Sequence, residues 1–335
     1  MAVKIDIVAG FPGAGKTTFV KKIIKEQLHR ERLAVIQNEF GDISIDAAIL
    51  KCPGIDIKGV AVGGACCSPY GNLSSALKEA LAKNAPDRVI IETSGIDRLS
   101  AVLEACRQIA RKMDGGINIC ATVVDAVKYK MYSDGFGELY KEQIINAKTI
   151  VLSRTQFVDQ HRLADLVRDI RSKNLRADIV TTPWNRFLGR QMVTTAEGAA
   201  EGLAQSRIRL KIKCYNPDLN ERQAIAHQNY DSGCSCNTLP EVQFQPVFES
   251  WGVETPRNFS RADIENILRL VANDNYGRIL RAKGILPAKR ESWLHFDYVP
   301  GEMEVGPIAP DNTGRISVMG ERLDTSRLSR LFNVQ

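Results

Sequence analysis

Histidine is scarce in this sequence, and long apolar runs, dense basic runs and a secretory signal pattern are absent. Only four of the 335 residues are His, which argues against a His-rich metal-binding tract. No stretch approaches the roughly 18 consecutive apolar residues of a membrane helix, and the first predicted strand begins almost at Met1. We therefore expect a cytoplasmic protein without membrane association, whose eight Cys are mostly thiols rather than disulfides.

Charge and composition narrow the class of protein further. The net charge of +6 is spread over many residues rather than concentrated in a basic stripe, so no nucleic-acid partner is expected. Hydrophobic residues make up 44% and charged residues 25% of the chain, as in ordinary soluble globular proteins. A length of 335 residues suggests about two domains.

Residues 6–24 contain the most informative pattern in the chain. A β-prone segment leads into Gly10-Phe-Pro-Gly-Ala-Gly-Lys-Thr17, and an amphipathic segment follows. This is the strand–loop–helix context of a phosphate-binding GxxxxGK[ST] loop, in which glycines let backbone amides wrap the anion closely. Lys16 is expected to reach the β- and γ-phosphates of a nucleoside triphosphate, and Thr17 to ligate Mg²⁺. The predicted nucleotide-binding residues of this motif are Gly10, Gly13, Ala14, Gly15, Lys16, Thr17 and Thr18.

Apolar strands alternate with helical patterns through the first part of the chain, which predicts an α/β fold with a mainly parallel sheet. The composition changes near 195–206, a stretch rich in small residues. We therefore predict a P-loop domain over residues 1–200. Over residues 207–335, alternating segments and an amphipathic helix predict a smaller α+β domain with an antiparallel sheet.

Polar side chains follow two of the predicted parallel strands, at the sheet edge where ligands bind. Glu92 ends an apolar strand and is expected to hold Mg²⁺ directly or through water, and Gly95 can bring an amide near the γ-phosphate. Glu39 and Asp42 lie on a loop that can order around Mg²⁺–triphosphate and relax after hydrolysis. The predicted catalytic residues are therefore Lys16, Glu92, Glu39 and Asp42. No arginine finger can be assigned from the sequence, and slow intrinsic hydrolysis is expected.

Taken in order, these segments resemble the CobW-type metallochaperone GTPases. The resemblance rests on GFPGAGKTT at 10–18, NEFGDISID at 38–46, GGACCS at 63–68 and VIIETSG at 89–95. GRILRAKGIL at 277–286 and WLHFDYVPGE at 293–302 look like the C-terminal domain of the same family. The resemblance covers nearly the whole chain, and it implies GTP, Mg²⁺ and a transition metal as ligands.

The sequence departs from the family pattern in the segment that reads the nucleotide base. The family motif NKxD ends in a carboxylate that accepts hydrogen bonds from guanine. At this position the chain has Ser153, Arg154, Thr155 and Gln156, of which Ser153, Arg154 and Gln156 are predicted to contact the base. Gln156 supplies an amide oxygen but no charge, and the Arg154 stem can stack on a purine. GTP is thus favoured by resemblance alone, and ATP or relaxed purine choice stays open.

The second departure lies in the metal motif. The family usually has CxCC, and Gly64 replaces its first Cys here, which leaves Cys66 and Cys67. Thiolates suit Zn²⁺, and also Co²⁺ or Ni²⁺, but two of them do not complete a tetrahedral site. Glu39, a second subunit of a homodimer, a client protein, or Cys234 and Cys236 can supply the remaining ligands. Cys106 and Cys120 lie on apolar segments and are expected in the core.

Two functions from different classes follow, with a third as a minor alternative. In the first, binding and hydrolysis of the triphosphate drive delivery of a metal to a metalloenzyme client. In the second, the protein is a nucleotide-driven chaperone or reactivating factor for a metalloenzyme or corrinoid protein, without metal transfer of its own. An ordinary small-molecule kinase is the third possibility, although no acceptor-binding residues can be named.

Overall fold

The computed structural model describes residues 3–29, 31–40, 45, 55–62, 71–112, 115–198, 248–273, 275–288 and 292–334. Asp42, Cys66, Cys67, Cys234 and Cys236 lie outside these ranges. The predicted division into domains at 200–207 also lies outside them and stays a prediction.

The first part of the chain forms a seven-stranded parallel sheet with strand order β3-β2-β4-β1-β5-β6-β7. Its strands are β1 Lys4–Gly10, β2 Leu33–Phe40, β3 Asp56–Val62, β4 Arg88–Glu92, β5 Gly116–Asp125, β6 Thr149–Ser153 and β7 Asp178–Val180. The helices are α1 Lys16–Ile23, α2 Gly71–Asn84, α3 Leu99–Ala110, α4 Tyr129–Gly135, α5 Gly137–Ile145, α6 Gln160–Lys173 and α7 Gly189–Ala196. The predicted α/β fold with a parallel sheet is confirmed.

Both faces of this sheet are covered by helices, which explains why its strands are uninterrupted apolar runs. Along β4, Val89 and Ile91 join the core under α2 and α3, whereas Ile90 between them joins the core under α1 and α7. Strand β1 lies between β4 and β5, so the strand order reverses beside it. Ligands bind at such a reversal, beyond the carboxyl ends of the strands. The phosphate loop follows β1 and therefore lies at that point.

The C-terminal part is a five-stranded antiparallel sheet with strand order β11-β10-β9-β12-β8. Its strands are β8 Glu249–Thr255, β9 Arg278–Pro287, β10 Trp293–Val299, β11 Glu302–Ile308 and β12 Gly314–Glu321, and its helices are α8 Arg261–Val271 and α9 Thr325–Phe332. The Ser260 side chain accepts from the Asp263 amide and begins α8, as its sequence predicts. Apolar residues of both helices pack on one face of the sheet, so the α+β prediction is confirmed.

The structure corrects several element bounds. The sequence predicts a helix over 136–147, which α5 Gly137–Ile145 confirms, and the structure adds a separate helix, α4, before it. The amphipathic segment after the phosphate loop predicts a helix over 16–30; this helix is α-helical to Ile23 and continues as a π-helical turn over Ile24–Leu28. Strand β11 has no counterpart among the sequence predictions, because Gly306 and Pro307 break its hydrophobic alternation. Among the described helices, none is long and apolar enough to cross a membrane.

Candidate nucleotide site

The loop between β1 and α1 adopts backbone angles that only glycine tolerates well. Gly13 and Gly15 have φ angles of 74° and 99°. At Gly10, where φ is 141°, an added Cβ would lie 2.3 Å from the Val123 carbonyl oxygen. The loop can therefore follow its path only with glycine at these positions, and that path is the one that brings amides close to a phosphate.

Lys16 is buried at the start of α1, with 3% of its surface exposed. Its ammonium donates to the Gly10 carbonyl at 2.8 Å and to the Phe11 carbonyl at 3.4 Å. A Cβ on Gly95 would lie 3.0 Å from the same nitrogen, so the turn after β4 reaches the lysine. A buried cation that donates to carbonyl oxygens is suited to an anionic ligand, because the ligand supplies the charge that the carbonyls lack.

Thr17 and Glu92 meet although 75 positions separate them in the chain. The Thr17 hydroxyl donates to Glu92 Oε1 at 2.5 Å, and the Gln37 amide donates to Glu92 Oε2 at 3.1 Å. A hydroxyl and a buried carboxylate beside a phosphate loop are the oxygen ligands that Mg²⁺ prefers. The residues present therefore fit Mg²⁺, which Thr17 and Glu92 would hold.

A polar network joins the end of β2 to the turn after β4. The buried Asp97 carboxylate accepts from the Asn38 amide at 2.8 Å and from the Ser94 hydroxyl and backbone amide, each at 2.9 Å. Burial raises the pKa of Asp97, against the opposing effect of these hydrogen bonds. The Gln143 amide donates to the Gly95 carbonyl at 2.9 Å. These contacts hold Gly95 near Lys16 and connect the two loops that are expected to respond to the γ-phosphate.

Arg154 connects the predicted base-reading segment to the phosphate loop. It follows β6 in a left-handed conformation with φ of 58°. Its Nη1 donates to the Gly13 carbonyl at 3.1 Å and forms an ion pair with the buried Asp125, and its Nη2 donates to Glu302 at 2.7 Å. Gln156 is exposed in the turn that follows. The Arg154 guanidinium is thus held by two carboxylates beside the predicted phosphate loop.

The C-terminal sheet covers the phosphate loop. The sequence did not predict this contact. A Cβ on Gly13 would lie 2.7 Å from a methyl group of Val299. Lys283 donates to the buried Glu39 carboxylate at 2.9 Å, and that carboxylate also accepts from the Ile45 amide at 2.9 Å. Between the two sheets lies a cleft of about 720 Å³. Its lining includes Gly13, Gly15, Lys16, Thr17, Thr18, Glu92 and Arg154 from the first sheet, with Arg281, His295, Asp297, Val299 and Glu302 from the second.

Most of the predicted nucleotide-site residues line the cleft, but the side chains of Ala14 and Ser153 do not. Ala14 is 1% exposed and packs in the core under α1, and Ser153 is buried at the end of β6. Cys106 and Cys120 are buried, which confirms their expected place in the core. Within the described residues, no group of three or more His, Cys, Asp or Glu side chains is arranged to hold a metal ion.

A signal for the missed residues was present in the sequence. After Arg278 at its start, strand β9 has two further charged residues, Arg281 and Lys283, which are two positions apart among apolar neighbours. This spacing puts both on one face of a strand. Polar residues confined to one face of a sheet whose other face is apolar indicate an interface with another polar surface, here the nucleotide-binding edge.

Two family descriptions match the chain. Residues 4–181 match the family described as CobW/HypB/UreG, nucleotide-binding domain. Residues 248–334 match the cobalamin synthesis protein cobW C-terminal domain. These matches confirm the predicted P-loop NTPase domain and the resemblance drawn from the motifs.

Curated relatives have low sequence identity to the chain. It is 27% identical over 202 residues to the zinc chaperone CobW of Sinorhizobium sp., covering 52% of this chain and 57% of that protein. It is 24% identical to the zinc-regulated GTPase metalloprotein activator 1 of Schizosaccharomyces pombe, covering 92% and 77%. It is 30% identical to the zinc chaperone YjiA of Escherichia coli, covering 46% and 49%. The chain thus spans about half the length of the Sinorhizobium and E. coli relatives that it matches.

Proposed function

We propose, from the premise that this chain belongs to the CobW/HypB/UreG family of nucleotide-binding proteins, that it couples triphosphate hydrolysis to metal delivery. The nucleotide is GTP, the metal is Zn²⁺, Co²⁺ or Ni²⁺, and the recipient is a client metalloprotein. The observation that carries the hydrolytic part is the contact between Thr17 and Glu92 beside the buried Lys16. The relatives' names, which include zinc chaperones, support the metal part.

Each residue of the nucleotide site has a proposed role. Lys16 and the loop amides neutralise the phosphates, while Thr17 and Glu92 hold Mg²⁺, which when bound neutralises charge that develops on the phosphoryl oxygens. Glu39 responds to the nucleotide through its loop. Because Lys283 holds the Glu39 carboxylate, a change in that loop is transmitted to the C-terminal sheet.

Metal binding is assigned to Cys66 and Cys67, with Cys234 and Cys236 as candidates for further ligands. Replacing Cys66 and Cys67 together by Ser is expected to abolish tight metal binding while sparing nucleotide binding, because thiolates are the strong ligands in this set. The measurement is a titration of the fully reduced protein with zinc and cobalt against a competing chelator. Replacing Cys52 and Cys214 by Ser removes the same number of thiols and is the matched control. Unchanged metal affinity in the Cys66 and Cys67 variant would contradict the assignment.

Coupling between the two sites is tested by repeating the titration with no nucleotide, with Mg²⁺–GTP and with Mg²⁺–ATP. A metal affinity that changes at least about tenfold with a nucleotide corresponds to a coupling free energy of about 1.4 kcal/mol or more. Weak metal binding that is indifferent to both nucleotides would favour the alternative, a nucleotide-driven reactivating factor for a metalloenzyme or corrinoid protein.

Base preference is expected to depend on Gln156. Replacing Gln156 by Asp restores a carboxylate that can accept from the N1–H and the 2-amino group of guanine, and it repels the acceptor N1 of adenine. We therefore expect the affinity ratio of GTP to ATP to rise about tenfold or more. The Asp carboxylate would be hydrogen-bonded when guanine is bound and unpaired when adenine is bound, and such a difference discriminates strongly between ligands. Equilibrium binding of fluorescent GTP and ATP analogues measures the ratio. Gln160→Asp, on an exposed residue at the start of α6, is the control, and an unchanged ratio in Gln156→Asp would remove Gln156 from base recognition.

A further inference from the structure

One face of the C-terminal sheet is apolar, and the opposite face carries the charges that meet the nucleotide site. Along β9, Ala282 and Leu286 pack in the core with α8 and α9. Side chains alternate between the two faces of a strand, so Arg281 and Lys283 lie on the opposite face. Lys283 contacts Glu39 of the first sheet from this face. Arg281 therefore lies on the same face of the sheet as Lys283, which contacts Glu39.

The pairing of β9 with β10 places Arg281 beside the phosphate loop. Tyr298 pairs with Ala282 and Asp297 with Lys283. Continuing this register by one residue puts Val299 next to Arg281. Val299 is the side chain that lies against Gly13, while Lys283, one row away, binds Glu39. Arg281 thus lies between Val299, which contacts the phosphate loop, and Lys283, which contacts Glu39 in the segment expected to respond to the γ-phosphate.

The Arg281 guanidinium is oriented by a carboxylate inside the shared cleft. Its Nε and Nη2 donate to the two oxygens of Asp297 at 3.1 and 2.6 Å. Arg281 lines the cleft together with Lys16, Thr17 and Glu92. A paired arginine whose side chain is only 13% exposed loses little conformational freedom when it binds a second anion, because its plane is already set.

We propose that Arg281 is a catalytic residue that the C-terminal sheet supplies to the nucleotide site, where its guanidinium binds the γ-phosphoryl oxygens of the bound triphosphate. This inference rests on the proposed hydrolysis. In that reaction a water oxygen forms a bond to the γ-phosphorus as the bond to the β–γ bridging oxygen breaks. The electron pair of the broken bond leaves on the diphosphate, and the water proton passes to the phosphate product.

Arginine suits this position for two reasons. Its charge stabilises the negative charge on the transferring group, which is the main contribution a protein can make to phosphoryl transfer. Its planar fork can bind two oxygens at once, whereas a lysine ammonium acts as a point charge. Asp297 is the positioning residue. Its carboxylate is negative and does not bind phosphate itself, but it accepts two hydrogen bonds from Arg281 and so fixes the plane of the guanidinium.

Single-turnover hydrolysis by the full chain, with Mg²⁺–GTP and with Mg²⁺–ATP, tests the proposal. Arg281→Ala is expected to lower the hydrolysis rate at least about 10²-fold, while the affinity for a non-hydrolysable triphosphate analogue changes less than about fivefold. Arg281→Lys keeps the charge but not the fork, and is expected to lose about tenfold or more. Diphosphate with aluminium fluoride, a mimic of the transferring group, should bind the wild type and fail to bind Arg281→Ala tightly.

Arg278→Ala is the matched control, because Arg278 also joins the two parts of the chain but is not among the residues that line the cleft. Its guanidinium stacks on the Phe136 ring at 4.1 Å and donates to the Gly135 carbonyl. We expect this control to hydrolyse at the wild-type rate. A rate within about threefold of wild type in Arg281→Ala would overturn the proposal, and if that variant does not fold, the same result in Arg281→Lys decides. Absence of hydrolysis in the wild type would instead contradict the proposed function.

Discussion

Lys16→Ala is expected to lower triphosphate hydrolysis about 10²- to 10³-fold, the cost of removing one preorganised charged donor from a transition state. The ammonium is the buried cation of the loop, within hydrogen-bonding distance of Gly10 and close to Gly95. No neighbouring backbone group can replace its charge. Binding of the triphosphate should weaken as well, because in the proposed site Lys16 binds the phosphates before and during the reaction.

The Lys16 measurement is single-turnover hydrolysis together with equilibrium binding of a triphosphate analogue. Circular dichroism establishes whether the variant is folded. Lys22→Ala is the control on the same helix, because Lys22 forms a partly exposed pair with Glu26, and its rate should stay within about twofold of wild type, as expected for a surface pair. Retention of the wild-type rate in Lys16→Ala would mean that the loop does not bind the triphosphate as proposed.

Arg88→Met is expected to lower the free energy of unfolding by about 3–5 kcal/mol, the cost of breaking a buried ion pair from one side. Arg88 is 1% exposed and pairs with three carboxylates: Asp6 at 2.6 Å, Glu31 at 2.7 Å and Glu197 at 2.9 Å. Asp6 is fully buried, so methionine would leave its charge uncompensated. Urea denaturation measures the loss.

The Arg88→Met loss should depend on pH in a defined direction. Burial raises the pKa of Asp6 even with Arg88 present, and Arg88 opposes that rise. Without Arg88 the folded-state pKa rises further above the unfolded value, so the folded state binds a proton that the unfolded state releases. Stability then falls as pH increases through this interval, and the loss should be larger at about pH 8 than at about pH 5.

Two further variants identify the cause of the Arg88→Met loss. Arg168→Met breaks an exposed pair with Asp165 and is expected to cost about 0.5 kcal/mol or less. Adding Asp6→Asn to Arg88→Met removes the uncompensated charge and should recover part of the stability and most of the pH dependence. A double variant no more stable than the single one would show that the loss comes from packing rather than from charge.

The conformation of the phosphate loop and the existence of the parallel sheet could be predicted because their causes are local. The glycine spacing reflects the backbone angles that the loop requires, and the apolar runs reflect the burial of strand side chains. Both causes act within a few residues of the chain. The same applies to the start of α8 at Ser260 and to the burial of Cys106. Strand β11 could not be predicted, because its pairing with β10 comes from neighbours in space rather than from its own alternation.

The sequence by itself determined that this protein has a P-loop nucleotide-binding domain of the CobW/HypB/UreG family, since that follows from ordered short motifs. Only the tertiary structure decided which residues of the C-terminal sheet meet that site. Lys283 and Glu39 are 244 positions apart, and Arg154 and Glu302 are 148 apart. No local pattern encodes a contact between two such residues, because it depends on how one polar sheet face packs over the carboxyl edge of another sheet.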